Sequence, residues 1–205
     1  MRTLLLLSAC FLIVACGGEN KKNQDVVENE DVDVTAVVTE LCDKMYEAVV
    51  AEDIDAYIDI TAQMDKLHYS ISKKDLGEAG QLWADSNPDE EKKINQFGNA
   101  HLQEILIRST ELVAMGLLED MYIATKTDDL ETFCEALFIL TMKVGEDAAW
   151  EVEENLTCET IERWSTENVE KQELMNDFAA TYEDERSACL EKKIRQYKES
   201  HNREN

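Results

Sequence analysis

The chain has 205 residues, with 45 Asp and Glu against 20 Lys and Arg and a net charge of -25. That excess of acid excludes a nucleic-acid-binding surface, which would need clustered Lys and Arg to neutralise phosphates, and it sets the body against anionic bilayers as well. One Pro and seven Gly in the whole chain leave long stretches without a strong helix breaker.

Arg2 gives a short positive start, and Leu4 to Ala15 form an apolar run broken only by Ser8, Ala9 and Cys10. The run is long enough for a secretory signal but short of the roughly 20 residues of a spanning helix. It ends in Ile13-Val14-Ala15-Cys16, a small residue directly before a cysteine. This ending resembles the lipobox of bacterial lipoproteins, a resemblance that covers residues 1–16 only. It implies removal of residues 1–15, acylation of Cys16 with palmitate among the lipids, and a membrane anchor at the new N-terminus. Gly17 after the cysteine, where Asp would retain the protein, implies the outer membrane of a two-membrane envelope, with the periplasmic or surface side left open. Leu7-Ser8-Ala9-Cys10 is an internal rival, but only Leu4 to Leu7 precede it as an apolar run, so Cys16 is preferred.

Residues 16–33 then read as a flexible tether, rich in Asn, Lys, Asp, Glu and Gly and unable to bury much area. Without residues 1–15, the chain keeps 19 basic and 45 acidic side chains. Residues 34–200 suffice for one acidic domain with its own core, and 201–205 read as a disordered tail that includes His201.

Apolar residues in the body recur at helical spacing. Val34, Val37, Val38, Leu41, Met45 and Val49 mark one face; Ile54, Tyr57, Ile58, Met64, Leu67 and Ile71 mark another. The spacing predicts two helices or one bent helix. Gly77, Gly80 and Asp85-Ser86-Asn87 make residues 72–87 a connection with one helical turn at Leu82-Trp83. Asn87-Pro88-Asp89-Glu90 is the clearest helix start, with a capping residue, Pro in the first helical position and an acid two residues later. A long helix is predicted from there through Ile94, Phe97, His101, Ile105, Leu112, Met115 and Tyr122. Gly116 marks either close packing or the end of that helix. Thr127-Asp128-Asp129 starts the next helix, through Leu130, Phe133, Leu137, Phe138 and Val144, with acids suited to its first turn. Five acids surround Trp150 and Val152, Leu156 to Trp164 make a shorter pattern, and a last helix runs from Ser165-Thr166 through Leu174, Phe178, Tyr182, Cys189, Ile194 and Tyr197. The whole predicts an all-α, antiparallel bundle of about three to five helices.

Cys42, Cys134, Cys158 and Cys189 allow two disulfides in three pairings in an exported chain. The favoured staples are Cys134 with Cys158 and Cys42 with Cys189; four buried thiols are the alternative. Asp65 with His68 and His101 with Glu104 each share a helical face, and together they make a weak candidate metal site. Neither pair has the Glu-x-x-His order of a di-iron bundle. The acidic clusters lack the EF-hand loop pattern, and no hydrolase, phosphate-loop or dinucleotide fingerprint is present. No cofactor is predicted.

The function expected is recognition without catalysis: an envelope-anchored acidic lipoprotein that binds a basic protein or peptide by charge complementarity. Candidate contacts are Trp83, Trp150 and Trp164 with Glu151, Glu153 and Glu154, each tryptophan having a place in the core as its alternative. An immunity or inhibitor protein against an envelope-active toxin is one version of this expectation. A metal-binding helical-bundle enzyme is the rival.

Overall fold

A computed structural model describes residues 33–144 and 151–202. Helix α1 (Val34–Val50) opens on Asp33, whose carboxylate accepts from the Ala36 amide at 3.0 Å. It closes in a Schellman turn: the Glu52 amide donates to the Val49 carbonyl and the Asp53 amide to the Ala48 carbonyl, at 3.2 and 2.9 Å. Glu52 takes the left-handed position of that turn, at φ 53°. Asp53 is then free to cap α2 (Ile54–Ser70) by accepting from the Ala56 amide at 3.0 Å. Ser72 caps α3 (Lys73–Ser86) through the Asp75 amide at 3.1 Å, a contribution of about 1 kcal/mol. Asn87 leads into α4 (Pro88–Ala100), where Pro occupies the first position and loses no hydrogen bond.

Five further helices follow: α5 (Leu102–Thr127), α6 (Leu130–Lys143), α7 (Glu151–Glu167), α8 (Val169–Thr181) and α9 (Glu183–Asn202). The described residues up to Ile105 form one compact unit and those from Leu106 a second, so the boundary falls one turn into α5. In unit 1, α1 packs against α2, α3 and α4. Met45, Tyr57, Trp83 and Ile94 meet in its core, and Ile105 closes it. In unit 2, α6 packs against α7 and α9, and α8 against the same two helices; Leu117, Met121, Phe133, Phe138, Trp164 and Phe178 are among its buried residues.

Unit 2 repeats the plan of unit 1. Met45-Tyr46, Ala48, Asp53 and Tyr57 recur 76 positions later as Met121-Tyr122, Ala124, Asp129 and Phe133; Trp83, Asn87, Asn95 and Phe97 recur 81 positions later as Trp164, Asn168, Asn176 and Phe178. The geometry recurs with the letters. Asp128 has φ 56°, and with Glu52 it is one of two non-glycine residues with positive φ among the described residues. The Asp129 amide donates to the Ala124 carbonyl at 2.9 Å, and the Asp129 carboxylate accepts from the Thr132 amide at 3.0 Å. Asn87 and Asn168 share one backbone conformation, φ -134° with ψ 53° and φ -124° with ψ 47°. Each side-chain amide donates back to the carbonyl of its tryptophan at 2.9 Å. In unit 1 the Tyr57 and Phe97 rings are 5.2 Å apart and Phe97 and His101 4.7 Å; in unit 2 Phe133 and Phe178 are 5.1 Å apart and Phe178 and Tyr182 4.8 Å.

The bundle of three to five helices is therefore corrected to nine helices among the described residues. The expected long helices are broken at single residues, the first at His101 and the last at Asn168 and Tyr182; His101 and Tyr182 have φ near -110° and ψ of 15° and 34°. A single non-helical residue turns the chain yet barely disturbs the apolar period, so the stripes run on through the break. The segment read as a connection is α3: Gly77 and Gly80 are both buried in it and let neighbouring helices approach closely instead of ending the helix. Leu112, Met115 and Leu174, expected in the core, are exposed, while Val113, Leu117 and Met175 beside them are buried.

The disulfide expectation is also corrected, since Cys42, Cys134, Cys158 and Cys189 are all thiols. Cys158 is exposed on α7, whereas buried Cys134 hydrogen-bonds Cys189 on α9. Cys42 belongs to the core of unit 1 and Cys189 to unit 2. No helix among the described residues is long and apolar enough to cross a membrane. Cys16 and the tether up to Val32 lie outside the described residues.

Candidate functional site

The two tryptophan positions organise the polar chemistry of each unit. Trp83 is 3 % exposed, and its indole N–H donates to the Asp43 carboxylate on α1 at 2.7 Å. One turn along α1, the Tyr46 hydroxyl accepts from Lys93 at 3.1 Å, and the ammonium lies 5.3 Å from the ring centre. That hydrogen bond raises the Lys93 pKa above its ordinary value.

Unit 2 keeps the aromatic frame and changes the polar partners. Glu119, at the position of Asp43, pairs with Lys171 on α8. The Lys171 ammonium lies 4.9 Å from the Tyr122 ring centre and 5.8 Å from that of buried Trp164, and Lys126 approaches Tyr122 from the same helix at 4.6 Å. Two cations on one ring favour a fixed aromatic face through cation–π attraction. Glu111 accepts from both terminal nitrogens of Arg163 on α7 at 3.2 Å. The Tyr182 hydroxyl donates to Asp128 at 2.7 Å, which raises its pKa. Glu135 pairs with Lys193 on α9; burial lowers the Lys193 pKa, but the bond to Glu135 and nearby acids outweigh burial and leave it raised.

The expected contact residues divide. Trp83 and Trp164 take the core alternative, each within its own unit. Glu153 is held by Lys143, a lysine whose side chain is fully buried at the end of α6. Glu154 is half-buried, and Trp150 and the Glu151 side chain lie outside the described residues. Asp65 and His68 belong to α2, where His68 meets the edge of Tyr69; His101 sits at the α4–α5 junction against Phe97, three residues before Glu104. No three His, Cys, Asp or Glu side chains gather as a metal site among the described residues.

Two features were missed in the sequence. One is Lys143, which reads as an ordinary basic residue in the last turn of a helix and is instead 1 % exposed. The other is the outer face of α5, where Leu112, Met115 and Ile123 are 42 %, 44 % and 55 % exposed. The signal for the second was present: from Leu112 to Leu118 the helix is apolar on every side, more than one core-facing stripe can bury. No protein-family model matches the chain, and neither a curated protein nor a solved structure matches it.

Proposed function

We propose that the protein is an envelope lipoprotein, anchored through acylated Cys16, whose acidic helical body binds a basic protein or peptide without turnover. The observation that carries this reading is the spread of the charge. Residues 1–105 hold 21 acids against 9 Lys and Arg, and residues 106–205 hold 24 against 11. Neither unit compensates the other, so both repeats attract cations and both repel anionic polymers and lipid headgroups. Exposed carboxylates on α7 and α8, including Glu159, Glu162, Glu170 and Glu173, extend the field.

Crosslinking of the native lipoprotein in its own envelope, followed by mass spectrometry, tests the reading. A reproducible basic partner should be captured at low salt, lost at high salt because exposed charges are screened, and lost again when Glu159, Glu162, Glu170 and Glu173 are reversed to Lys. Salt-independent capture of an acidic partner, or turnover of a substrate abolished by His68→Ala or His101→Ala, contradicts it. Anchoring is tested apart: Cys16→Ser should move the protein from the detergent phase to the aqueous phase.

A further inference from the structure

Unit 2 brings two of its cysteines together as thiols, in a pairing that differs from both expected staples. Cys134 on α6 is fully buried, and its S–H lies within reach of two acceptors on α9: the Arg186 carbonyl at 4.0 Å and, one turn further on, the sulfur of Cys189. The two helices pack directly against each other. Cys189 is half-buried, so one sulfur of the pair faces the core and the other can be reached from solvent.

The repeat shows that the fold asks for neither thiol. Buried Ile58 fills the place of Cys134 in unit 1, 76 positions earlier, and Arg108 stands 81 positions before Cys189. Cys42 supplies the contrast. It lies in the core of unit 1 and its counterpart in unit 2 is buried Leu118, so there a thiol fills space as a small apolar side chain.

Burial pushes the Cys134 thiol up to about 12, reinforced by the bond and charge of Cys189, while Lys193 and Arg186 act in the opposite direction. The Arg186 Nε is buried and donates to no acceptor among the described residues. Lys193, paired with Glu135, also senses the charge of Cys189. Cations beside a sulfur that solvent can reach favour the thiolate, which is the reactive form. Exposure and protonation divide the labour: Cys189 can meet a reagent, and Cys134 waits behind it with its proton.

We infer that Cys134 and Cys189 are a redox-active dithiol that exchanges with low-molecular-weight disulfides, Cys189 attacking and Cys134 resolving. This goes beyond the basic-partner reading and does not depend on it. The Cys189 thiolate attacks one sulfur of the incoming disulfide; a new S–S bond forms, the old one breaks, and the leaving thiolate takes up a proton. Cys189 then carries no charge and no longer holds the Cys134 proton, which passes to water. The Cys134 thiolate attacks the Cys189 sulfur and expels the second small thiolate, which is protonated in turn. The chain has given up two electrons and two protons, and the small disulfide has become two thiols. A half-buried sulfur on the flank of a helix admits a small disulfide more readily than one held in another folded protein.

The test incubates the full chain, reduced and freed of reductant, with oxidised glutathione, quenches it with acid at intervals and maps the unreduced peptides. The wild-type chain should yield a peptide linking Cys134 with Cys189, with helical circular dichroism unchanged, and excess reduced glutathione should reverse the linkage. That result stands however the variants fold. Exposed Cys158 should carry glutathione, which shows that the reagent is active. Cys134→Ala should leave glutathione trapped on Cys189, and Cys189→Ala should leave Cys134 unmodified; two thiols that merely pack predict neither. Modification of Cys158 with Cys134 and Cys189 both still free, or linkage of either one to a different cysteine, overturns the inference. Reaction with the disulfides of insulin and none with oxidised glutathione would overturn the small-molecule substrate.

Discussion

Units 1 and 2 solve one packing problem with different polar chemistry. Both use an acid in the left-handed turn, an Asp that caps the second helix, an Asn folded back on a tryptophan carbonyl, and a ladder of three rings. In unit 1 a carboxylate holds the tryptophan N–H; in unit 2 the matching carboxylate is drawn to a lysine over the aromatic rings. Leu67 on α2 is matched by Lys143 on α6, and buried Ile58 by buried Cys134. What stays fixed is what makes helices turn and rings meet. What varies is which ionisable groups the core tolerates.

The shared ladder predicts the largest effect. Tyr57→Ala and Phe133→Ala each remove a ring that is 1–2 % exposed, and each should cost about 3–5 kcal/mol of the stability of its own unit in denaturant titrations. A large cost in one unit and a negligible one in the other would break the equivalence. Next comes the feature only unit 2 has. Lys143→Leu should cost about 3 kcal/mol, because it strands Glu153 beside the core, and adding Glu153→Gln should recover most of the loss. Recovery would mean that the pair can be replaced by the kind of packing unit 1 uses.

Alkaline pH should separate the units further. Burial pushes the Cys134 thiol from its ordinary 9.0 up to about 12, and Tyr182 and Lys193 are raised as well. Groups with raised folded pKa values hold their protons more tightly in the native state. Their stabilisation is complete below the unfolded pKa and is lost as pH rises through the folded one. Unit 2 should therefore lose thermal stability above about pH 9, ahead of unit 1, in melts followed by residue-resolved amide signals. The same burial orders thiol alkylation at neutral pH, with exposed Cys158 first and Cys134 last. The smallest effect belongs to the turns. Glu52→Gly should gain about 0.5–1 kcal/mol by relieving a left-handed backbone, while Asp128→Gly should gain less, because it gives up the bond from Tyr182.

The helical class, the starts at Pro88 and Asp129, and the core places of Val38, Leu41, Met45, Tyr57, Ile58, Phe133, Phe138 and Phe178 were legible in the sequence, because caps and apolar period are local signals. The repeat was not, since its first half recurs at 76 positions and its second at 81, and a search for one fixed period passes over it. Single-residue breaks such as His101 left no mark in the apolar stripe. The burial of Lys143 depends on a carboxylate ten residues away, which is not a local property of the helix that carries the lysine. Of the candidate site, the excess of acid was legible from composition, but the choice between core and surface for each aromatic or apolar residue needed the helix register.

The central claim is that α1–α4 and α5–α8 are two versions of one four-helix plan. Backbone chemical shifts of the intact chain test it most directly. The account predicts left-handed values at both Glu52 and Asp128, and one extended-side φ, ψ pair shared by Asn87 and Asn168 at their helix junctions. A helix continuous through residues 120–135, or different backbone conformations at Asn87 and Asn168, would contradict it.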